Sequence, residues 1–205
     1  MFRTERKFLF NNKIEAYLAL QSLLKRYSFR KKFKTRNIYS VYLDTKNLDY
    51  LFENIIGLSN RKKIRYRFYS DNLHQLIHEE KIKKNNFGTK IKKVHNTSYK
   101  LDFASVGKMI ESLNYKNNHK TQLYQQINVS YRRDYYVDIY KNSLTVDSNI
   151  NFFNKSTNRY ERSVIEYKIT KDNYENNYFH KINYPFTRHS KYVVGMAIIN
   201  QTMYV

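Results

Sequence analysis

Residues 61–69 read RKKIRYRFY. On a strand, side chains alternate between two faces. Arg61, Lys63, Arg65 and Arg67 then share one face, with Ile64, Tyr66 and Phe68 on the other. The same period-two alternation recurs at 2–10, 37–45, 76–84, 88–95, 124–134, 135–141, 143–150 and 161–170. Other stretches change period. In 13–27, Ile14, Tyr17, Leu18, Leu20, Leu24 and Tyr27 recur at helical spacing, and 46–56, 101–114 and 190–203 also read as helices. The last begins at Ser190, a suitable N-cap, and sets Tyr192, Val193, Met196, Ile199 and Met203 along one face. Eight or nine strands among a few helices, with no regular strand–helix alternation, predict an antiparallel α+β protein and not a doubly wound sheet. With four Gly, one Pro, no linker-like stretch and no internal repeat, one domain over 1–205 is expected.

Charge sharpens this picture. There are 38 Lys and Arg against 17 Asp and Glu, a net +21, which predicts a polyanionic partner: nucleic acid, polyphosphate, a nucleotide or an anionic membrane surface. Abundant Lys, Asn, Tyr and Ile give part of that basicity a compositional origin. The charges also cluster on strand faces. Arg3, Glu5 and Lys7 stand opposite Phe2, Phe8 and Phe10, while Glu79, Lys81 and Lys83 share a face. Lys90 pairs with Lys92, and Glu166 with Lys168. Glu-x-Lys thus occurs three times on predicted strands. One arrangement that fits is a sheet with a wet, charged outer face. Another is a water-filled barrel whose cations are compensated by carboxylates and a bound anion. A dry interior does not fit, because unpaired buried charge costs several kcal/mol or more.

Several chemistries drop out. The chain has no Cys, hence no disulfide, thiolate metal site or cysteine nucleophile. No run of about 18 apolar residues exists to span a membrane as a helix. The segment MFRTERKFLFNN is too charged for a signal-peptide core, and a cytoplasmic protein without membrane insertion is expected. The six His show no zinc-ligand spacing, and no Gly-rich phosphate loop is present. Interleaved Tyr and Lys also suit single-stranded nucleic acid, although most of the tyrosines fall at positions expected to pack.

Read in order, RTERKF at 3–8, IYSVYLDT at 38–45, LDYLFENIIGLSNRKKIRYRFY at 48–69 and EEKIKK at 79–84 form a recognisable series. SYRRDY at 130–135, LTVD at 144–147, VIEYK at 164–168 and RHSKY at 188–192 continue it. The series resembles the VTC (vacuolar transporter chaperone) polyphosphate polymerase domain, a branch of the triphosphate tunnel metalloenzymes that also include the CYTH proteins. Each motif alone is weak; eight in sequence are specific. The resemblance implies an antiparallel eight-stranded β-barrel with flanking helices, whose lumen binds a triphosphate or polyphosphate chain. It implies a metal-dependent phosphotransferase acting on ATP and polyphosphate. The alternatives are a tunnel triphosphatase acting on tripolyphosphate or nucleoside triphosphates, and a polyanion-binding module without catalysis.

Carried onto this sequence, the resemblance makes Lys7, Arg65, Arg67, Lys81, Lys83, Lys90, Arg133 and Lys168 phosphate ligands. Guanidinium forks and ammonium groups both suit phosphate oxygens. Arg188 and Lys191, at the mouth of the last helix, would hold distal phosphates. Arg65, Arg67, Lys81, Arg133 and Lys191 are the expected catalytic cations. Glu166, then Glu5 and Glu79, are the expected ligands of Mn²⁺ or Mg²⁺, with an internal salt bridge as the competing role for Glu5 and Glu79. The spacing in YRR favours Arg133 over Arg132. One departure stands out: the family's Arg two residues before the Thr of Arg-x-Thr-x-Asp is here Ser143. Either Lys141, two residues earlier, replaces that charge or phosphate is held more weakly.

Overall fold

The computed structural model describes residues 3–85, 87–116, 122–154, 157–170 and 184–201. Phe2 and Met203, expected on apolar faces, lie outside the described residues. The chain runs β1 (Arg3–Phe10), α1 (Lys13–Tyr27), β2 (Arg30–Asp44), α2 (Asp49–Ile55), β3 (Asn60–Tyr69), β4 (Asn72–Lys84), β5 (Phe87–Asn96) and α3 (Phe103–Lys116). It continues through β6 (Tyr124–Val137), β7 (Ser143–Phe153), β8 (Thr157–Tyr160), β9 (Ser163–Thr170) and α4 (Lys191–Ile199).

The strands hydrogen-bond in the order β1-β9-β7-β6-β2-β3-β4-β5, with β8 paired to β7. The β1·β9, β9·β7, β2·β3, β3·β4 and β4·β5 ladders are all antiparallel. The protein is α+β, with eight strands in the ladder and helices beside it. Among the described residues no ladder joins β1 to β5. Two boundaries differ from the pattern-based expectation. Segment 124–134 continues without a break through 135–137 as one strand, β6, while 138–141 form a turn, and β2 starts at Arg30 instead of 37. The stretch RKKFKTR at 30–36 has cations on both faces, so it shows no apolar alternation; its strand conformation comes from sheet pairing.

The chain divides into two compact units. The first comprises Met1–Arg36, Tyr131–Ile150 and Arg159–His189. Its core is the apolar face of β1, β7 and β9, with Phe8, Phe10, Leu144, Val146, Ile165, Tyr167 and Ile169 covered by α1. Asn12 caps α1 by accepting from the Glu15 backbone N–H at 2.9 Å, and Glu15 in turn accepts from the Asn11 N–H at 3.1 Å. This reciprocal pairing satisfies donors that the first turn leaves orphaned. Ser28, in left-handed conformation at φ 51°, ends the helix. The buried face of α1 is Ala16, Ala19, Leu20 and Leu23; of the expected stripe Leu20 is buried and Leu24 and Tyr27 pack against the core, whereas Ile14, Tyr17 and Leu18 are more than half exposed. The two alanines let the helix axis approach the sheet closely, which the bulkier stripe would prevent.

The second unit comprises Asn37–Ser130, Asn151–Asn158 and Ser190–Val205. Val41, Leu43, Ile64, Tyr66, Phe68 and Leu76 form its apolar sheet face, and Leu101, Val106 and Ile110 on and before α3 cover it. In both units a helix takes the apolar side of the sheet, leaving the charged side for other work. Helix α4 belongs to the second unit. At Gly195 it comes so close to β6 and β7 that a Cβ would lie 2.5 Å from Ile127 and 2.6 Å from Phe152.

Candidate functional site

Antiparallel register decides which charges meet in the second unit. Arg65 pairs with Tyr42 on β2 and Glu79 on β4; Arg67 pairs with Ser40; Glu79 pairs with Lys92 on β5. Paired residues share a face. Buried Glu79 therefore stands in a ring of cations. Its Oε2 accepts from Arg65 at 2.8 Å and lies 2.6 Å from a second Arg65 nitrogen and 3.5 Å from Arg67. Its Oε1 lies 2.6 Å from Lys90 and 4.0 Å from Lys92. Burial alone would raise the Glu79 carboxyl, but Arg65, Arg67 and Lys90 outweigh it and hold the group far below the usual carboxylate range. Lys90 is pushed down to about 8, chiefly by burial and further by Arg65 and Arg67, with Glu79 opposing. Its side chain is still 39% exposed, so water moderates that shift.

The ring is braced from behind. Arg65 donates to the Tyr42 hydroxyl at 3.0 Å, and Tyr42 stacks on Tyr192 of α4 with ring centroids 5.2 Å apart. Tyr192 donates to Asp44 at 2.6 Å. Asp44, fully buried, also accepts from the backbone of Thr45, Tyr50 and Leu51, fixing the start of α2. Arg67 is 5% exposed and donates to Ser40 at 3.3 Å. Lys63 donates to the Ser190 hydroxyl at 2.9 Å, beside half-buried Lys191. Lys81 is exposed opposite Lys63 and Lys90, and Lys83 is half-buried opposite Arg61.

The first unit carries a differently balanced cluster. Arg133 grips buried Asp147 with two nitrogens, one at 2.7 Å, and lies 3.8 Å from Glu166. Lys168 lies 3.2 Å from Glu166 and 3.8 Å from Glu5. Lys7 pairs with Glu166 across β1 and β9 and donates to the His189 carbonyl at 2.8 Å. Burial would raise the Glu166 carboxyl, but Lys168, Lys7, Arg133 and a hydrogen bond with Glu5 hold it well below its ordinary range. Three cations here face three carboxylates, whereas Arg65, Arg67, Lys90 and Lys92 all converge on Glu79. Thr145 stands opposite Glu166 in the register, its hydroxyl buried without a hydrogen-bond partner among the described residues.

The remaining candidates separate from these clusters. Arg188 is exposed in the first unit, and Arg132 is exposed while Arg133 joins the cluster. Lys141 does not lie on the β7 face. It sits in left-handed conformation at φ 64° in the turn that Asp138 and Asn142 close, and Ser143 itself pairs with Lys168. Glu79 is a poor metal ligand, because four cations already crowd its two oxygens and would repel a dication. Glu166 and Glu5 fit one better: two neighbouring carboxylates with an orphaned hydroxyl nearby leave positions for water and phosphate oxygens. Among the described residues, no three His, Asp or Glu gather to hold a metal by themselves. Sequence reasoning did not single out Asp147, Tyr42, Tyr192 or Asp44 as parts of a site. The signal for Asp147 and Asp44 was present, as the last Asp of LTVD and the Asp of YLDT.

In each unit an antiparallel sheet buries its apolar residues under a helix and carries a guanidinium–carboxylate cluster. The VTC domain family matches residues 2–200, and the chain belongs to that family. Among curated proteins none matches the chain. Among solved structures, it resembles a Hippeastrum protein studied as an adenylyl cyclase and found to have a dominant triphosphatase activity. The TM-score is 0.56 at 16% identity over 98% of this chain and 97% of that one. A Pyrococcus horikoshii protein gives a TM-score of 0.55 at 12% identity over 98% and 99%. A Vibrio parahaemolyticus protein described as an adenylate cyclase gives 0.50 at 11% identity over 98% and 87%. At these identities the likeness is one of fold.

Proposed function

We propose that the chain is a metal-dependent phosphotransferase that binds ATP and polyphosphate, in the manner of a polyphosphate polymerase. The observation that carries this reading is Glu79 surrounded by Arg65, Arg67, Lys90 and Lys92, an excess of cations against one buried carboxylate. Such an excess favours the binding of an anion. Phosphoryl transfer needs mainly positioning and charge neutralisation. Arg65 and Arg67, fixed by Tyr42, Ser40 and Glu79, would hold phosphate oxygens without reorganising. Glu166 and Glu5 would hold Mn²⁺ or Mg²⁺, which when bound neutralises charge on the phosphoryl oxygens. Lys168, Lys7 and Arg133 keep the Glu166 carboxylate ionised. Lys81, Lys83, Arg188 and Lys191 fall in the role of outer phosphate contacts.

The second reading is a triphosphatase, in which water takes the place of the growing chain. The triphosphatase activity of the Hippeastrum relative favours it. Incubation with ATP and Mn²⁺ separates the readings. Long-chain polyphosphate supports the first, free phosphate supports the second, and binding without turnover contradicts both. Glu166→Ala should abolish turnover while a polyphosphate titration still shows binding; full activity in that variant would refute the metal assignment.

A further inference from the structure

The basic stretch that forms the first half of β2 shares no residue with either cluster. Arg30, Lys31, Lys32, Lys34 and Arg36 place five cations in seven residues, and no Asp or Glu occurs between Glu15 and Asp44. Residues 30–34 are exposed, and residues 31–35 line a shallow groove. Asp134 meets this stretch from β6: it accepts from Thr35 and lies 3.4 Å from Lys31. Lys32 and Arg36 flank the Phe33 ring at 5.3 and 5.7 Å, and Tyr135 meets it edge-on at 5.7 Å. Arg36 also lies 4.9 Å from the Tyr135 ring centroid. A straight strand repeats same-face side chains about every 6.6 Å, so Arg30, Lys32, Lys34 and Arg36 form a row, with Lys31 on the other face.

We propose that this strip is a docking track for the chain of long inorganic polyphosphate, distinct from the sites that hold the reacting phosphates. A row of ammonium and guanidinium groups suits a linear polymer with charge on every unit, and a tripolyphosphate is too short to exploit it. Phe33 is the single aromatic residue in 30–36, too few to stack successive bases of a nucleic acid. It is also the only apolar residue in the stretch, which disfavours insertion into a lipid surface. The assignment rests on the polyphosphate reading above and deepens it by explaining how long chains would be preferred.

The test is a triple charge reversal, Arg30→Glu/Lys32→Glu/Lys34→Glu. It spares Lys31, which lies beside Asp134, and Arg36, which packs on Tyr135. Circular dichroism verifies that the fold is kept. Titrations with tripolyphosphate and with long-chain polyphosphate are run on both proteins over a range of salt. Long-chain affinity should fall about tenfold or more, and its salt slope should shrink by about 3, roughly one for each cation replaced. Tripolyphosphate affinity should stay unchanged. Equal loss for both ligands, no loss for either, or a larger loss for single-stranded RNA or anionic vesicles would overturn the track. A wild-type chain that binds no tripolyphosphate would instead overturn the underlying phosphate reading. If the variant fails to fold, Lys32→Ala/Lys34→Ala replaces it, with the same ordering of effects required.

Discussion

Glu79 and Lys90 set the behaviour of the second unit's site at the scale of single residues. Lys90 is pushed down to about 8, so it is charged below that pH and increasingly neutral above it. An anion bound beside it would draw it back to the charged form. Triphosphate affinity should therefore weaken as pH rises through about 8, with proton uptake on binding near that pH. Titration calorimetry in buffers of different ionisation heat reads both effects, and Lys90→Arg should flatten the dependence. Glu79 titrates in the opposite sense. Its folded carboxyl lies below the ordinary 4.5, so its contribution to stability is present above that pH and is lost as pH falls toward the folded value. Glu79→Gln should remove that part of the acid sensitivity in pH-dependent melts. The alternation in RKKIRYRFY is enough to place Arg65 and Arg67 together on one face. The role of Glu79 as their counter-ion depends on β5 delivering Lys90 and Lys92, a three-strand register that no short window contains. For the same reason the Arg133–Asp147 pair, 14 residues apart on different strands, could not be read from the local pattern.

At the scale of elements, α4 is the brace of the second unit's ring. Its close approach at Gly195 leaves no room for a methyl group, and its Tyr192 ties it to Asp44 and Tyr42. Gly195→Ala should cost about 1–3 kcal/mol through overpacking, measured by chemical denaturation. Tyr192→Phe should cost about 1–3 kcal/mol, because it removes one of the bonds to buried Asp44. It should also weaken triphosphate binding, since the stack beneath Arg65 loosens; unchanged affinity in that variant would show that the brace does not reach the site. The sequence predicted α4 and its N-cap at Ser190, but not its role. Helix α1 shows the reverse case. Its span and its contacts through Leu20, Leu24 and Tyr27 were legible, whereas the rest of its buried face was not, because Ala16 and Ala19 carry little hydrophobic signal beside Ile14, Tyr17 and Leu18. What selects the alanine face is the closeness of packing on Phe8 and Ile165, a tertiary quantity.

At the scale of the whole molecule, the net +21 is not spread evenly in kind. The first unit's cluster is balanced between acid and base, the second unit's ring is cationic, and the β2 strip is cationic and exposed. Screening acts on exposed charge far more than on buried charge. Salt should therefore weaken long-chain binding steeply and tripolyphosphate binding less so. The order of eight motifs made the fold class readable. The balance of each cluster was not, because it depends on which strands become neighbours.

The most direct measurement is a calorimetric titration of tripolyphosphate into the wild-type chain, into Arg65→Ala/Arg67→Ala, and into the exposed control Lys100→Ala. The double variant should lose about 3–6 kcal/mol of binding, as expected for two charge-assisted contacts, and the control should lose almost none. Equal and small losses in the two variants would mean that diffuse surface charge attracts the ligand, and would contradict a phosphate site built on the β3 arginines.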